Sequence, residues 1–409
     1  MNIVLEPGAA ALLDELHRAG FGAYAVGGCV RDSLLGLAPH DWDLCTAARP
    51  GQVMELFGED RCIPTGLQHG TVTVKRDGKL YEITTFRTEG RYSDGRHPDS
   101  VAFVPDLRED LARRDFTINA MAYSAEEGLC DPFGGREDLA RGVVRAVGEP
   151  LRRFGEDALR ILRLYRFAAR FGFAIDEATE AAAKQLASHL DCVSAERIEE
   201  ELNKLLAAPQ PGAYLEPEVL AFVLPELPPE ELTKARRRID ALPAGTEQVS
   251  ARWAALLLPL GETGARKALK RLKCSNARTD GAAALVRECG EKTPDTLDKC
   301  DLCLQAKRLL GKYDLHTVQQ LTVLWTALAP EEKASFDALR AEAEALTAQG
   351  VCCRISQLAV NGRDLMAAGA APGPGLRREL EALLEEVITG RLPNEKTELL
   401  AFAAGFSAS

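Results

Sequence analysis

The chain has 409 residues, 46% hydrophobic and 27% charged, which suits a globular protein of roughly two to four domains and excludes a disordered or fibrous one. Its formal net charge of −11 argues against indiscriminate nucleic-acid binding but allows a local basic surface. No apolar run approaches the ~18 residues that cross a bilayer, no signal-peptide pattern opens the chain, and the 11 cysteines lack framework spacing; the expectation is a cytoplasmic protein with no membrane partner.

An amphipathic helix is predicted from Pro7 to Arg18, stopped by Gly20. Ala25 and Val26 read as the end of a short strand that runs into Gly27 and Gly28, where the missing side chains let backbone approach a ligand and aim N–H groups at an anion. Arg31 falls in the first turn of a brief helix ended by Gly36, adding fixed positive charge near that helix's N-terminus. Asp41-Trp42-Asp43 is expected on the next strand. Alternate strand residues share a face, so the two carboxylates project together, their Cα atoms roughly 6–7 Å apart, while Trp42 turns into the core. Two such groups can hold divalent ions about 3.5–4 Å apart, which activate an attacking hydroxyl and neutralise a leaving pyrophosphate. Oxygen ligands beside phosphates favour magnesium. A Gly-Gly pair or a DxD alone is commonplace; together, with an arginine between them, they point to a metal-dependent site that handles phosphates.

Residues 70–75 and 79–87 alternate and are rich in β-branched side chains, with Asp77-Gly78 as the hairpin turn between them. Glu82, on the second of these strands, is either a third carboxylate at the metal or a surface residue. Residues 88–100, TEGRYSDGRHPDS, form a polar loop of a length that is often functional. In the run Arg113-Arg114-Asp115, Arg114 is placed to meet triphosphate and Asp115 to accept a hydrogen bond from a ribose hydroxyl. Asp131-Pro-Phe-Gly-Gly135 is a sharp turn.

A helix is predicted over residues 155–167. Asp157 and Arg160 lie three apart on one face and present an acceptor beside a donor. Cytosine and adenine both offer an amino donor next to a ring-nitrogen acceptor, whereas uracil and guanine offer a carbonyl and an N–H. One carboxylate and one guanidinium can therefore accept C and A and reject U and G. Arg163 and Arg166 drift off that face toward phosphate, because a spacing of three falls behind the 3.6-residue period.

From Asp176 onward the pattern is helical. Residues 194–206 show a serine N-cap and a leucine stripe and read as core packing. Lys267, Lys270, Arg271 and Lys273, and Arg236 to Arg238, are basic stripes suited to a phosphate backbone or to plain solvation. Cys300 and Cys303 read as two cysteines one turn apart on a helix rather than a zinc site. An Ala-Glu-rich helix over 331–349 and a final helix over 376–389 close the chain.

These motifs resemble the class II tRNA nucleotidyltransferases, the CCA-adding enzymes. GGCVRD with DWD resembles the family's first motif, RRDFTINAMA the second, DPFGGREDL the third, EDALRILRLYRF the amino-acid template motif and SAERIEEELNKLL the neck motif. The likeness continues through PTGLQHGTVTV and TFRTEGRYSDGRHPDSVAFV to NGRDLMAAGAAPGPG, covering nearly the whole chain. It implies an α+β nucleotidyltransferase head with a small mixed β-sheet (1–148), then an all-α neck (149–208), body (209–325) and tail (326–409) that hold tRNA by shape. The implied activity is template-independent addition of C, C and A to the 3′ end of tRNA from CTP and ATP. Carried over residue by residue, the resemblance makes Asp41 and Asp43 the catalytic metal ligands for Mg2+. It makes Gly27, Gly28, Arg31, Arg114 and Asn119 nucleotide contacts, with Asp115 near the ribose. Asp157 and Arg160 become base readers, and Arg163 and Arg166 further nucleotide contacts. In this family the switch from C to A depends on the polar loop, so residues 88–100 argue against a CC-only enzyme. An A-adding enzyme, a bacterial poly(A) polymerase and a non-catalytic tRNA-binding scaffold are the alternatives.

Overall fold

The computed structural model describes residues 3–90, 100–291 and 302–405. Most of the expected polar loop (91–99) and Cys300 lie outside the described residues. The chain divides into two compact units, Met1–Pro229 and Glu230–Ser409.

The first unit opens with α1 (Pro7–Arg18), whose N-cap Glu6 accepts from Ala9 N at 3.1 Å; Gly20, at φ +85°, follows its end as predicted. Then come β1 (Ala23–Val26), α2 (Gly28–Leu34), β2 (Leu44–Thr46), α3 (Pro50–Phe57), β3 (Cys62–Gly66), β4 (Thr71–Arg76) and β5 (Lys79–Thr85). After β6 (Arg87–Glu89) and β7 (Val101–Phe103) the chain forms α4 (Leu107–Ala112), β8 (Ala122–Ser124), β9 (Gly128–Cys130), α5 (Gly135–Arg141) and β10 (Val143–Val144). The unit ends with α6 (Pro150–Glu156), α7 (Leu159–Phe171), β11 (Ala174–Ile175), α8 (Glu177–Gln185), α9 (Ala195–Leu206) and α10 (Pro217–Val223).

Seven strands form one mixed sheet in the order β3-β4-β5-β2-β1-β8-β9, with β2 and β5 parallel and the other neighbours antiparallel. The β4–β5 hairpin turns at Asp77 (φ +49°) and Gly78 (φ +76°), the left-handed pair that a two-residue hairpin loop needs. Tyr24, Val26, Cys45, Phe86, Leu107, Leu111 and Ala122 pack together as a core against this sheet. The expected mixed-sheet head followed by helices is therefore present.

Four local expectations need correction. Asp41 and Asp43 precede β2 rather than lie on it. The helix expected over 155–167 is two helices, α6 and α7, because Asp157 is extended (φ −142°, ψ 106°) and its carboxylate caps Leu159 N at 3.1 Å. Asp131 does more than turn the chain: its two oxygens accept from Gly135 N (2.7 Å) and Arg136 N (2.8 Å) and so start α5. Ser194 precedes α9 without a side-chain capping bond.

The second unit is helical: α11 (Pro229–Asp240), α12 (Val249–Leu257), α13 (Gly261–Arg271), α14 (Asn276–Glu291), α15 (Leu302–Lys312), α16 (Leu315–Leu328), α17 (Lys333–Ala348), α18 (Gly362–Ala367), α19 (Pro374–Ile388) and α20 (Lys396–Ala404). A helix thus follows the one expected to be last, and Leu399 and Ala403 of α20 join Leu365 and Leu383 in a small core. Lys267, Lys270, Arg271 and Lys273 are exposed on α13 and just beyond it. No described helix is long and apolar enough to cross a membrane.

Candidate active site

Val26 N–H donates to Asp43 O at 3.0 Å, which carries the β1–β2 pairing one residue upstream of β2, and burial alternates exposed, buried, exposed over residues 41–43. Asp41 and Asp43 therefore share a face, both open to solvent, and Trp42 is buried between them as expected. The parallel register Leu44↔Ile83, continued back one residue, sets Glu82 of β5 beside Asp43. Asp43 stays open at the cavity mouth, yet its carboxyl sits deep among protein atoms. That burial, with the nearby Glu82 and Asp41, pushes the carboxyl above its usual range against the pull of Arg114. Among the described residues, the carboxylates of Asp41, Asp43 and Glu82 make no hydrogen bond or ion pair.

Facing this acidic lip is a basic wall, and the two enclose a cavity of about 690 Å³, a size usual for small-ligand sites. Nine basic side chains (Arg31, Arg113, Arg114, Arg160, Arg163, Arg166, Arg170, Arg197 and Lys204) line it, against the four carboxylates of Asp41, Asp43, Asp115 and Asp157. All twelve residues expected at the site, with Gly27, Gly28 and Asn119 completing the set, meet in this one cavity. Glu82 is outside its lining.

The wall is built on a buried network. Asp32 accepts from Arg31 Nε (2.8 Å) and Arg170 Nη2 (3.1 Å), and Arg31 Nη1 donates to Asn119 Oδ1. Asn119 Nδ2 in turn donates to Asp115 Oδ1 at 3.0 Å. Asp115 also accepts from Phe116 N at 2.8 Å and, through Oδ2, from Arg163 Nε (2.9 Å) and Nη2 (2.6 Å). Burial alone would raise the Asp115 carboxyl, but Arg163 and Asn119 hold it far below the usual carboxylate range. With four donors already satisfied, Asp115 organises the wall before any ribose arrives. Arg166 pairs with Glu201 at 3.0 Å; burial first, then Arg163 and Arg31, lower its guanidinium to about 10. Gly27 is at φ +77°, a conformation that favours glycine, and a Cβ there would come within 2.7 Å of Arg114 Nη1 and push that guanidinium aside. Its N–H is spent on Met121 O at 3.0 Å, which corrects the expectation that it faces an anion.

Asp157 and Arg160 both open on the same cavity. Asp157 Oδ1 accepts from Leu159 N (3.1 Å) and Oδ2 from Arg197 Nη2 (3.0 Å). Arg160 Nη1 donates to Arg153 O (3.1 Å) and Glu156 Oε2 (3.0 Å), and its Nη2 to Arg113 O (3.1 Å). Three of its five N–H groups are thus used, and each Asp157 oxygen keeps a lone pair. Arg153 anchors α6 to the sheet unit by donating to Ala112 O (2.7 Å) and Val147 O (3.3 Å).

Residues 23–145 match the family model described as the poly A polymerase head domain, 172–228 that of a probable RNA- and SrmB-binding site of polymerase A, and 245–403 that of tRNA nucleotidyltransferase domain 2. The CCA-adding enzyme of Limosilactobacillus fermentum is 38% identical, with 96% of this chain and 95% of the relative covered; that of Latilactobacillus sakei is 39% identical, with 96% of each covered. The chain belongs to the class II CCA-adding enzymes. The crystal structure of the Bacillus stearothermophilus CCA-adding enzyme in complex with CTP shares the fold, with a TM-score of 0.81 at 33% identity over 99% of this chain and 98% of that one. As a CCA-adding enzyme the chain is a tRNA nucleotidyltransferase, of a family that depends on divalent metal.

Sequence reasoning overlooked part of the wall. Arg197 and Lys204 reach the cavity from α9, which had been assigned to core packing alone. With Glu201 they follow i, i+4, i+7 spacing, about 100° round the helix from Ile198, Leu202 and Leu205, so a polar stripe was there to read. Arg113, Arg170 and Phe167 also line the cavity and were not singled out.

Proposed function

We propose that this CCA-adding enzyme, working in the cytoplasm, extends the 3′ end of tRNA with C, C and A from CTP and ATP in a single cavity. The tRNA 3′-oxygen attacks the α-phosphorus in line, the bond from that phosphorus to the bridging oxygen breaks, and pyrophosphate leaves. Asp157 accepts a hydrogen bond from the exocyclic amino group of the base while Arg160 donates to the ring nitrogen beside it. Uracil and guanine would set a carbonyl against the carboxylate and an N–H against the guanidinium. Arg31, Arg114, Arg163 and Arg166 bind the triphosphate, with Asn119 and Asp115 fixing their positions.

Magnesium suits the donor set at Asp41 and Asp43: only oxygens, with the Asp43 carboxyl raised in part by neighbouring acids whose repulsion a divalent cation would relieve. Among the described residues no set of three or more His, Cys, Asp or Glu side chains is clustered to hold a metal unaided. Magnesium at phosphate sites takes one or two carboxylates and completes its shell with water and substrate phosphate. Bound there, magnesium would activate the attacking hydroxyl and neutralise the leaving pyrophosphate.

The observation that carries this reading is that Asp41 and Asp43 line the same cavity as Asp157 and Arg160. The test is incubation with tRNA ending before, within and after CC, with CTP and ATP supplied separately and together. Product lengths that stop at CC with CTP alone and at CCA with both support it. Extension by A alone assigns an A-adding enzyme, and long A runs on any RNA a poly(A) polymerase.

A further inference from the structure

Three guanidiniums of the wall gather over one aromatic ring. The Cζ of Arg166 lies 4.0 Å from the centroid of Phe167, that of Arg31 5.2 Å and that of Arg163 5.4 Å. Arg31 comes from α2 and the other two from α7, so the ring joins segments far apart in the chain. Phe171, one turn later, repeats the arrangement with Arg31 and Arg170, each at 4.9 Å. Phe167 and Phe171 are parallel to within 4° at 6.3 Å, and Phe116, fully buried, meets Phe167 edge-on at 5.8 Å and 77°. Phe167 is 4% exposed and lines the cavity, so its ring is held from behind and presented to the arginines.

Cations so close repel one another, and a basic wall can be kept in register in two ways. A carboxylate neutralises charge and takes up N–H donors. An aromatic face attracts the guanidinium through its quadrupole and accepts none of the in-plane N–H groups. Here each of the three arginines has a carboxylate partner (Asp32 for Arg31, Asp115 for Arg163, Glu201 for Arg166 and, at 4.0 Å, also for Arg163), and the Phe167 ring lies within 5.4 Å of each Cζ. Arg31 also gives one Nη1 N–H to Asn119, and each of the three guanidiniums still keeps N–H groups for phosphate oxygens.

We infer that Phe167 is a positioning residue for the nucleotide triphosphate: through its ring face it holds Arg31, Arg163 and Arg166 together without taking up the N–H groups that their carboxylate and amide partners leave. The inference rests on the proposed role of these arginines and concerns how they are held ready. The ring touches the guanidiniums and takes no part in phosphoryl transfer, so its contribution appears in nucleotide binding.

The test replaces Phe167 with mono-, di- and trifluorophenylalanine, which keep the shape of the ring and weaken its quadrupole stepwise. KM for CTP and ATP should rise along the series, reaching about 10-fold for the trifluoro ring, with kcat within about twofold. Phe167→Leu should raise KM at least as far, and Phe167→Trp, which keeps a strong π face, should restore much of the loss. A purely structural ring predicts no trend with fluorination, so a flat KM series, or a fall in kcat at constant KM, overturns the inference. Arg163→Gln and Arg166→Gln separate the two levels. Raised KM in these variants with a flat fluorine series leaves the triphosphate reading standing and removes the aromatic one; unchanged KM in both variants removes both.

Discussion

The carboxylates of Asp41 and Asp43 stand at the cavity with no hydrogen-bond partner among the described residues, whereas each arginine opposite is held by a carboxylate, a carbonyl or a ring. Paired charges are pre-positioned, so a substrate that meets them pays little to order them. Unpaired like charges are costly until something neutralises them. One side of the cavity is thus complete before ligand arrives, and the other is completed by it. Breaking the incomplete side should cost most. Asp43→Asn, which keeps shape and removes charge, should lower kcat by at least on the order of 10³-fold, the several kcal/mol of charge stabilisation expected of metal catalysis. Far-UV circular dichroism should be unchanged. Residual turnover near wild type would refute the assignment of the lip to metal.

On the complete side the largest effect should come from the centre of the network. Asp115→Asn leaves Arg163 without its main partner, at a cost of about 3 kcal/mol if the pair behaves as buried and less to the extent that Arg163, 33% exposed, is screened. The pH dependence has a definite sign. The Asp115 carboxyl lies lower in the folded chain than its unfolded value near ~3.9, so its contribution is fully present above that value and drains away as pH falls toward the folded one. The gap between urea midpoints of wild type and Asp115→Asn should hold from pH 7 to about pH 4 and narrow from there down to about pH 2. A gap that stays constant below about pH 4 would mean that the carboxylate is not what holds the wall.

In the proposed reading base selection depends on neither metal nor the triphosphate arginines, so it can be broken alone. Arg160→Gln should relax discrimination against UTP by about 10–100-fold, the worth of one hydrogen bond to a charged group. Competition between CTP and UTP on tRNA lacking CCA reads this directly. Unchanged selectivity would mean that the base is read elsewhere.

The same contrast explains what was legible in the sequence. Features set by a residue and its near neighbours were readable: the Asp77-Gly78 turn, the end of α1 before Gly20, and Trp42 facing inward between two exposed acids. The strand order β5-β2-β1-β8 was not, because β8 joins β1 across most of the head and no local signal encodes that pairing. The break at Asp157 was hidden because no proline marks it; a side-chain cap to Leu159 N makes it. Asp41 and Asp43 could be picked out by their spacing together with the Gly-Gly pair and Arg31 before them. The cations of the site could be found only in part, since Arg197 and Lys204 gain their meaning from α9 packing along α7, which one helix's pattern cannot reveal.

Arg197 offers the finest test, because it sits where base reading and the held wall meet. Its Nη2 donates to Asp157 Oδ2 at 3.0 Å, and the opposite oxygen is fixed by Leu159 N, so the carboxylate is aimed by two donors from different helices. Arg197→Ala removes one of these and leaves the other. Asp157 keeps its bond from Leu159 N but is free to swing, and the loss should be several-fold in discrimination, smaller than for Arg160→Gln. Arg197→Lys keeps the charge but loses the planar fork, so it should fall between wild type and alanine if aim matters, and match wild type if charge alone does. Selectivity in the alanine variant as poor as in Arg160→Gln would mean that Arg197 itself touches the base. The boundary between reader and support would then have to be moved out to α9.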